Sequence, residues 1–262
     1  MQVQSAKPHA ARHPMRRPAF AASLALAGLL ALGASPLVAS PAAAADGGNA
    51  EQPVLLAQAS SSGETDAAAQ ADVKVPEASG KVDVEKLMSE QALPDIVIGD
   101  ADAPVTIVEY ASLTCSHCRD FHETSYPKIK ADYIDTGKAK LIIREFPFDP
   151  RALAGFMLAR CAGDDAKRTA MVDVLFDQQP QWAFSNQASA ELLKISRLAG
   201  MSEEQFRACL NDKELQKKIV EIQQAGETEF GVNATPTFFV NGDKYSGALG
   251  AAEMGAVIEQ HM

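Results

Sequence analysis

The run PVTIVEYAS, residues 104–112, does most to limit what this chain can become. It is almost continuously apolar and rich in β-branched residues, so it reads as a strand covered on both faces. A strand of that kind belongs inside a sheet that is layered with other elements. Behind it come LTCSHCRDFH (113–122) and ETSYPKIKADYIDTG (123–137). There Phe121, Tyr126, Ile129 and Tyr133 roughly keep a helical stripe, and Gly137 is a natural stop. Pro127 predicts a kink in this helix. KAKLIIREFPF, 138–148, is the next strand. A strand–helix–strand unit implies a parallel pair joined by a crossover.

From Pro150 to about Phe230 the pattern is helical throughout, with Gly163, Pro180, Gly200 and Asn211 as punctuation. GVNATPTFFVNGDKYSG, 231–247, gives two short strands, and Asn241-Gly242 between them is a strong two-residue hairpin signal. GAAEMGAVIEQHM closes the chain as a helix. The order βαβ, helical block, ββα predicts one α/β domain with an all-helical insertion at about 150–230 between its halves. Five strands at most exclude a sandwich.

The segment ahead of this domain is of another kind. Residues 1–45 hold Lys7, Arg12, Arg16 and Arg17 and no acid, then a long Ala- and Leu-rich run, then PAAAAD. That is the layout of a secretory leader, with cleavage expected between Ala45 and Asp46. The run is long enough for an uncleaved anchor, but Gly33 and Pro36 interrupt it, which favours cleavage. Arg16-Arg17 is a weak hint of twin-arginine export, because Phe20 sits late for that signal. The first cysteine is Cys115, so none near the cleavage point can carry a lipid. Without the leader, 20 basic residues face 34 acidic ones. A surface so acidic will not seek nucleic acid or anionic lipid. Residues 46–92 read as a disordered linker, with a short helix within 82–91, and organised sequence is expected from residue 93.

All four cysteines lie in the part bound for an oxidising compartment, which puts disulfide chemistry first. Cys115 and Cys118 form C-x-x-C. Haem attachment needs His after the second cysteine, and Arg119 stands there. A structural zinc site needs four ligands, usually from two such pairs, and Cys161 and Cys209 are isolated. No metal is therefore expected. Redox use fits, because the pair sits where a strand turns into a helix. Cys115 at the helix start meets free N–H groups and the helix dipole, which favour a thiolate. Cys118, one turn in and more buried, is suited to closing a disulfide. His117, between them, can donate to the thiolate or share its charge. A stabilised thiolate stabilises the reduced form and makes the disulfide oxidising.

Glu109 interrupts the apolar strand. Either it faces outward at the strand's end, or it is an acid beneath the cysteines that moves the proton of Cys118. Pro236 stands at the entrance to a strand, where it removes a ladder donor. A cis bond after Thr235 and a trans Pro at the first strand position both account for it.

Together, VEYASLTCSHC, REFPF, the helical insertion and GVNATPTFFVNG resemble the thioredoxin fold. More narrowly, they resemble the DsbA-like thiol:disulfide oxidoreductases of the bacterial periplasm, over residues 93–262. The resemblance implies that Cys115 exchanges with substrate sulfur and that Cys118 resolves the mixed disulfide. It implies that Thr235-Pro236 is the cis-proline loop facing the cysteines and pairing with the substrate backbone, and it matches Glu109 to the family's acid. It requires no cofactor. Its partners are unfolded or reduced exported proteins and a DsbB-like, quinone-linked membrane oxidant. An isomerase or reductase, kept reduced by another partner, is the alternative. Such proteins often dimerise through an N-terminal module, and the disordered 46–92 favours a monomeric oxidase. The chain departs from the best-known oxidases at Ser116, where they carry Pro. Cys161 and Cys209 are expected as a structural disulfide, with a second redox pair or two buried thiols as alternatives. Cross-linking that loop supplies roughly 4 kcal/mol at best.

Overall fold

The computed structural model describes residues 73–262. The expected leader, 1–45, and the linker up to residue 72 lie outside the described residues. Six strands form one sheet: β1 (Gly80–Lys81), β2 (Val97–Ile98), β3 (Val105–Ala111), β4 (Ala139–Glu145), β5 (Thr237–Val240) and β6 (Asp243–Ser246). Their order is β1-β6-β5-β3-β4-β2. β3 pairs parallel with β4 and antiparallel with β5, so the apolar run lies mid-sheet with a neighbour on each side. The β5–β6 turn is made by Asn241 and Gly242, both at positive φ. Asn241 also accepts from the Thr106 N–H through its side chain, at 2.9 Å, which fastens the hairpin to β3.

Two expectations need correction. Among the described residues there are six strands, not five at most, because two-residue strands close both edges of the sheet. Strands that short carry no period. The linker also ends well before residue 92. Gly80–Lys81 pairs with β6, α1 (Val84–Leu87) follows, and Leu87 is buried. What holds this segment down is Arg144 on β4. Its buried guanidinium binds the Asp95 carboxylate at 2.6 and 3.0 Å, the Tyr110 hydroxyl at 3.0 Å and the Leu87 carbonyl at 2.7 Å.

The crossover from β3 to β4 is a helix that changes pitch. α2 (Ser116–Asp120) runs into a π-helical turn at Phe121–Ser125, then α3 (Tyr126–Ile129), then a second π-helical turn at Lys130–Ile134. Pro127 sits at the join after the first π turn, where its missing N–H and ring disturb the regular ladder. Phe121, Tyr126 and Ile129 are buried as the stripe requires, and Tyr133 is half-buried.

The insertion is α4 (Pro150–Arg160), α5 (Asp165–Asp177), α6 (Gln179–Trp182), α7 (Ala188–Leu198), α8 (Glu203–Asn211) and α9 (Lys213–Phe230). Asp149 caps α4 through the N–H groups of Arg151 and Ala152, with Pro150 at the first helical position. Ser202 and Gln205 form a capping box on α8. Cys161, just after α4, is joined to Cys209 on α8 as a disulfide. α10 (Ala251–Gln260) completes the fold.

The sheet is covered on both faces. Ile107, Ala111, Leu141 and Ile143 pack with the crossover helix and most of the insertion. Val108, Tyr110, Ile142 and Phe239 pack with α1 and α9 on the other face. Gly226 on α9 is required there, since a Cβ would lie 2.6 Å from the Tyr110 ring. No helix among the described residues is long and apolar enough to cross a membrane.

Removing one partner of a buried ion pair strands the other charge, at a cost of about 3–5 kcal/mol. Asp95→Ala is therefore expected to lower unfolding stability by about 3 kcal/mol. In an Arg144→Met background the same change should cost under about 1 kcal/mol, because the charge to be stranded is gone. Urea unfolding of the four proteins measures this. Cys161 and Cys209 should both stay unlabelled by a thiol reagent under denaturing, non-reducing conditions.

Candidate functional site

β3 delivers its C-terminal end to the start of α2, and Cys115 is the residue before the first helical position. It is half-buried, while Cys118, one turn on, is fully buried, and both carry free thiols. Two side chains of the insertion hold the loop that carries them. Buried Gln179 donates to the carbonyls of Leu113 and Cys115, each at 2.9 Å. The Thr114 hydroxyl donates to Asp149, the residue that caps α4. Across the site, the Thr235–Pro236 peptide is cis, and the Cys115 thiol donates to the Thr235 carbonyl at 3.3 Å.

The two sulfurs are electrostatically unlike. Cys115 is held down to about 5, first by hydrogen bonding from the Cys118 thiol. The Thr235 side chain and the backbone N–H groups of Cys118 and His117 add to this, against the cost of burial. Cys118 is pushed up, chiefly by burial, then by its hydrogen bond to Cys115 and the charge of Glu109. His117 contributes differently from the sequence expectation. Its side chain is exposed, and what reaches Cys115 is its backbone N–H.

Glu109 is fully buried, so it is not an outward-facing end residue. On a strand, every second residue shares a face. Glu109 therefore lies on the face of Ile107 and Ala111, whose cluster includes Cys118 and Phe121. Its Oε2 is 2.9 Å from His122 Nε2, and that imidazole is stacked on Phe176 of α5 at 4.2 Å between ring centres. His122, Gln179 and Asp149 escaped the sequence reading. His122 alone had a signal: it is four residues after Cys118, on the same helical face and beside a buried Phe.

The structure thus brings Cys115, Cys118, Glu109, Thr235 and Pro236 together. Cys161 and Cys209 are elsewhere, beside a cavity of about 550 Å³ that contains neither Cys115 nor Cys118. Among the described residues no cluster of side chains could hold a metal ion.

Comparison with known proteins agrees with this geometry. A thioredoxin family model matches residues 91–260. A Rickettsia conorii chain, provisionally named a protein-disulfide oxidoreductase, is 37% identical over 153 residues, 56% of this chain and 53% of its own. The match thus spans about half the length of such curated relatives. The crystal structure of Wolbachia pipientis alpha-DsbA1 superposes with a TM-score of 0.63 at 34% identity, covering 68% of this chain and 95% of that one. BdbD from Bacillus subtilis, 24% identical with a TM-score of 0.59 over 71% of this chain and 98% of its own, shares the fold. With its paired cysteines at the start of the crossover helix and its helical insertion, the chain belongs to the thioredoxin family, in the DsbA-like thiol:disulfide oxidoreductase branch.

Proposed function

We propose that this chain oxidises the thiols of exported polypeptides by passing its Cys115–Cys118 disulfide to them. The observation that carries the reading is the asymmetry of the pair: Cys115 is half-buried at the N-terminus of α2, where its thiol is held down to about 5, while Cys118 is fully buried and pushed up. A dithiol that keeps one stable thiolate is stabilised when reduced, so its disulfide oxidises others readily.

The step begins when a substrate thiolate attacks Cys115 Sγ. The Cys115–Cys118 bond breaks, and Cys118 leaves with the electron pair and takes a proton. A second substrate thiolate then attacks the substrate sulfur of the mixed disulfide and releases Cys115 as a thiolate. Two substrate thiols have become a disulfide, and the protein's disulfide has become a thiolate and a thiol. Glu109 is the group placed to carry the Cys118 proton. The Thr235–Pro236 loop, whose Thr235 carbonyl meets Cys115, is where a substrate backbone is received. His117 assists the thiolate through its backbone. The Cys161–Cys209 disulfide braces the insertion that carries Gln179 and Asp149.

Reoxidation falls to a DsbB-like membrane partner that passes electrons to quinone. The site of action is the periplasm, after removal of the leader at 1–45, and the working form is a monomer. The domain that does this begins near residue 79 rather than 93, since β1 and α1 are built into the sheet and its core.

The distribution of redox states in cells tests the reading. Acid quenching and thiol trapping should find Cys115–Cys118 mostly oxidised, and a mostly reduced pair would assign the chain to isomerase or reductase work. Thiolate absorbance of the reduced protein should titrate at about 5 and vanish in Cys115→Ser. Because the folded value is depressed, the stabilisation of the reduced fold is complete above the ordinary thiol value of about 9. It is lost as pH falls through about 5. Above about pH 5, reduction of the disulfide takes up one proton, and below it two. The reduction potential should therefore fall by about 30 mV per pH unit on the alkaline side and about 60 mV on the acid side.

A further inference from the structure

The insertion carries a second sulfur pair that takes no part in the exchange just described. Cys161 and Cys209, joined as a disulfide, both lie in the wall of the cavity of about 550 Å³. The two are presented unequally: Cys161, just after α4, is exposed, and Cys209 on α8 is buried. The same wall holds one basic and one acidic side chain, Lys167 of α5 and Asp212, the cap of α9. The Lys167 ammonium is loosely engaged, 3.8 Å from Asp164 and with its side chain 63% exposed. Asp212 spends Oδ1 on the cap, accepting from the Glu214 and Leu215 N–H groups at 3.0 and 2.9 Å. Its Oδ2 makes no hydrogen bond or ion pair among the described residues.

We propose that this cavity is a reagent site, where small zwitterionic thiols of the amino-acid type, and their disulfides, exchange with Cys161 and so close or open the Cys161–Cys209 bond. Charge is the first ground. An amino-acid thiol carries a carboxylate and an ammonium within a few bonds of its sulfur. The wall offers Lys167 to the one and the free oxygen of Asp212 to the other. Size is the second, since sites for small ligands occupy about 300–1,000 Å³. Reactivity is the third. Cys161 follows the C-terminal end of α4, where the helix dipole opposes a thiolate, the reverse of the setting of Cys115. A sulfur so placed is not activated by its surroundings, and exchange there gains most from a reagent that is held.

Closure takes two exchanges. The Cys161 thiolate attacks one sulfur of the small disulfide. That S–S bond breaks, and one small thiolate leaves with the electron pair and takes up the proton that Cys161 lost. Cys209, as a thiolate, then attacks the Cys161 sulfur of the mixed disulfide. The second small thiolate leaves and takes up the Cys209 proton. One small disulfide has been reduced to two thiols, and two protein thiols have been oxidised to one disulfide. Opening by a small thiol is the same sequence in reverse. Burial sets the order, with exposed Cys161 meeting the reagent and buried Cys209 resolving. The Cys209 sulfur is 3.1 Å from the Met157 carbonyl oxygen. In the disulfide it has no proton to give, but as a thiol it donates there and is held beside Cys161. That carbonyl accepts from the Cys161 N–H as well, at 3.0 Å, and has a lone pair for each.

The test uses the chain with Cys115→Ser and Cys118→Ser, so that only the second pair reacts. The reduced protein is mixed with cystine, with cationic cystamine or with neutral hydroxyethyl disulfide. Acid-quenched samples are mapped by mass, and each rate is divided by the rate of the same reagent with a small model thiol. Cystine should be favoured. Lys167→Gln and Asp212→Asn, the second of which keeps a capping side chain, should each lower that preference about threefold, and 0.5 M salt should do the same. With Cys209→Ser the reaction should stop at a stable adduct on Cys161. With Cys161→Ser, buried Cys209 should react at least about tenfold more slowly. Fluorescence of Trp182, which is fully buried, reports whether the reduced protein is folded. If it is not, the rates at which cysteine and mercaptoethanol open the disulfide of the folded, oxidised protein give the same comparison. Equal normalised rates for all reagents would overturn the proposal. So would a preference for cystine that survives both substitutions, or a first adduct on Cys209.

Discussion

The carboxyl group of Glu109 is fully buried. It sits on β3 between β4 and β5, paired with Ile143 on one side and Phe238 on the other, on a face sealed by the crossover helix. An isolated charge in such a place costs several kcal/mol, and an unpartnered polar group costs on the order of 1–3 kcal/mol. The helix above must therefore supply a partner, and His122 is it. That requirement fixes how the helix lies on the sheet. A helix turned by one residue would carry His122 away and leave the carboxyl alone. The first π turn answers the same demand. By widening the helix it lets Phe121 and His122, adjacent in sequence, both face inward, one against Phe238 and the other on Phe176. Cys118, four residues before His122, is brought to the same buried face.

From that placement the inequality of the two sulfurs follows. Cys118 is under the helix, near a carboxyl group and away from water, so charge on it is costly. Cys115 is at the helix start, half open, with N–H groups and the Cys118 thiol turned towards it. The pair can hold one negative charge cheaply, and only in one place. Keeping it there needs a loop that does not drift, and here the helical insertion contributes. Gln179 ties two carbonyls of the loop from below, while Asp149 holds Thr114 and caps α4 at once. The insertion is thus the frame of the dithiol as well as a cover for the sheet.

Much of this could be read from the residues, for physical reasons that differ element by element. β3 and β4 announced themselves because strands covered on both faces must be apolar throughout. The hairpin did so because a two-residue turn with positive φ demands Asn-Gly. In 150–230, α7, α8 and α9 keep an amphipathic period, and α4, α5, α8 and α9 carry side-chain caps. What escaped had no period to show. β1 and β2 are two residues each and are defined by their partners' backbones. The holding of 79–92 depends on Arg144, which in KAKLIIREFPF looks like an exposed charge; only Asp95, Tyr110 and Leu87, distant in sequence, make it a buried one. Gln179 and Asp149 act on carbonyls and hydroxyls contributed by residues far from them in the chain. His117 drew attention by lying between the cysteines, yet the histidine that the fold buries is the one a turn later. Proximity in sequence pointed to His117, whose side chain is exposed, and gave no weight to His122, whose side chain is buried against Glu109.

The same physics bears on Ser116. Its side chain is exposed, and it is not among the groups that lower Cys115. It occupies the first position of α2, where Pro is well accommodated because the N–H there has no partner within the helix. Ser restores that N–H and removes the ring, leaving one more donor and a more readily hydrated edge beside Cys115. The thiolate of this chain therefore rests on Cys118, on Thr235 across the site and on backbone groups of the turn itself, and the first and last of these are held by the helix that Glu109 and His122 fasten to the sheet.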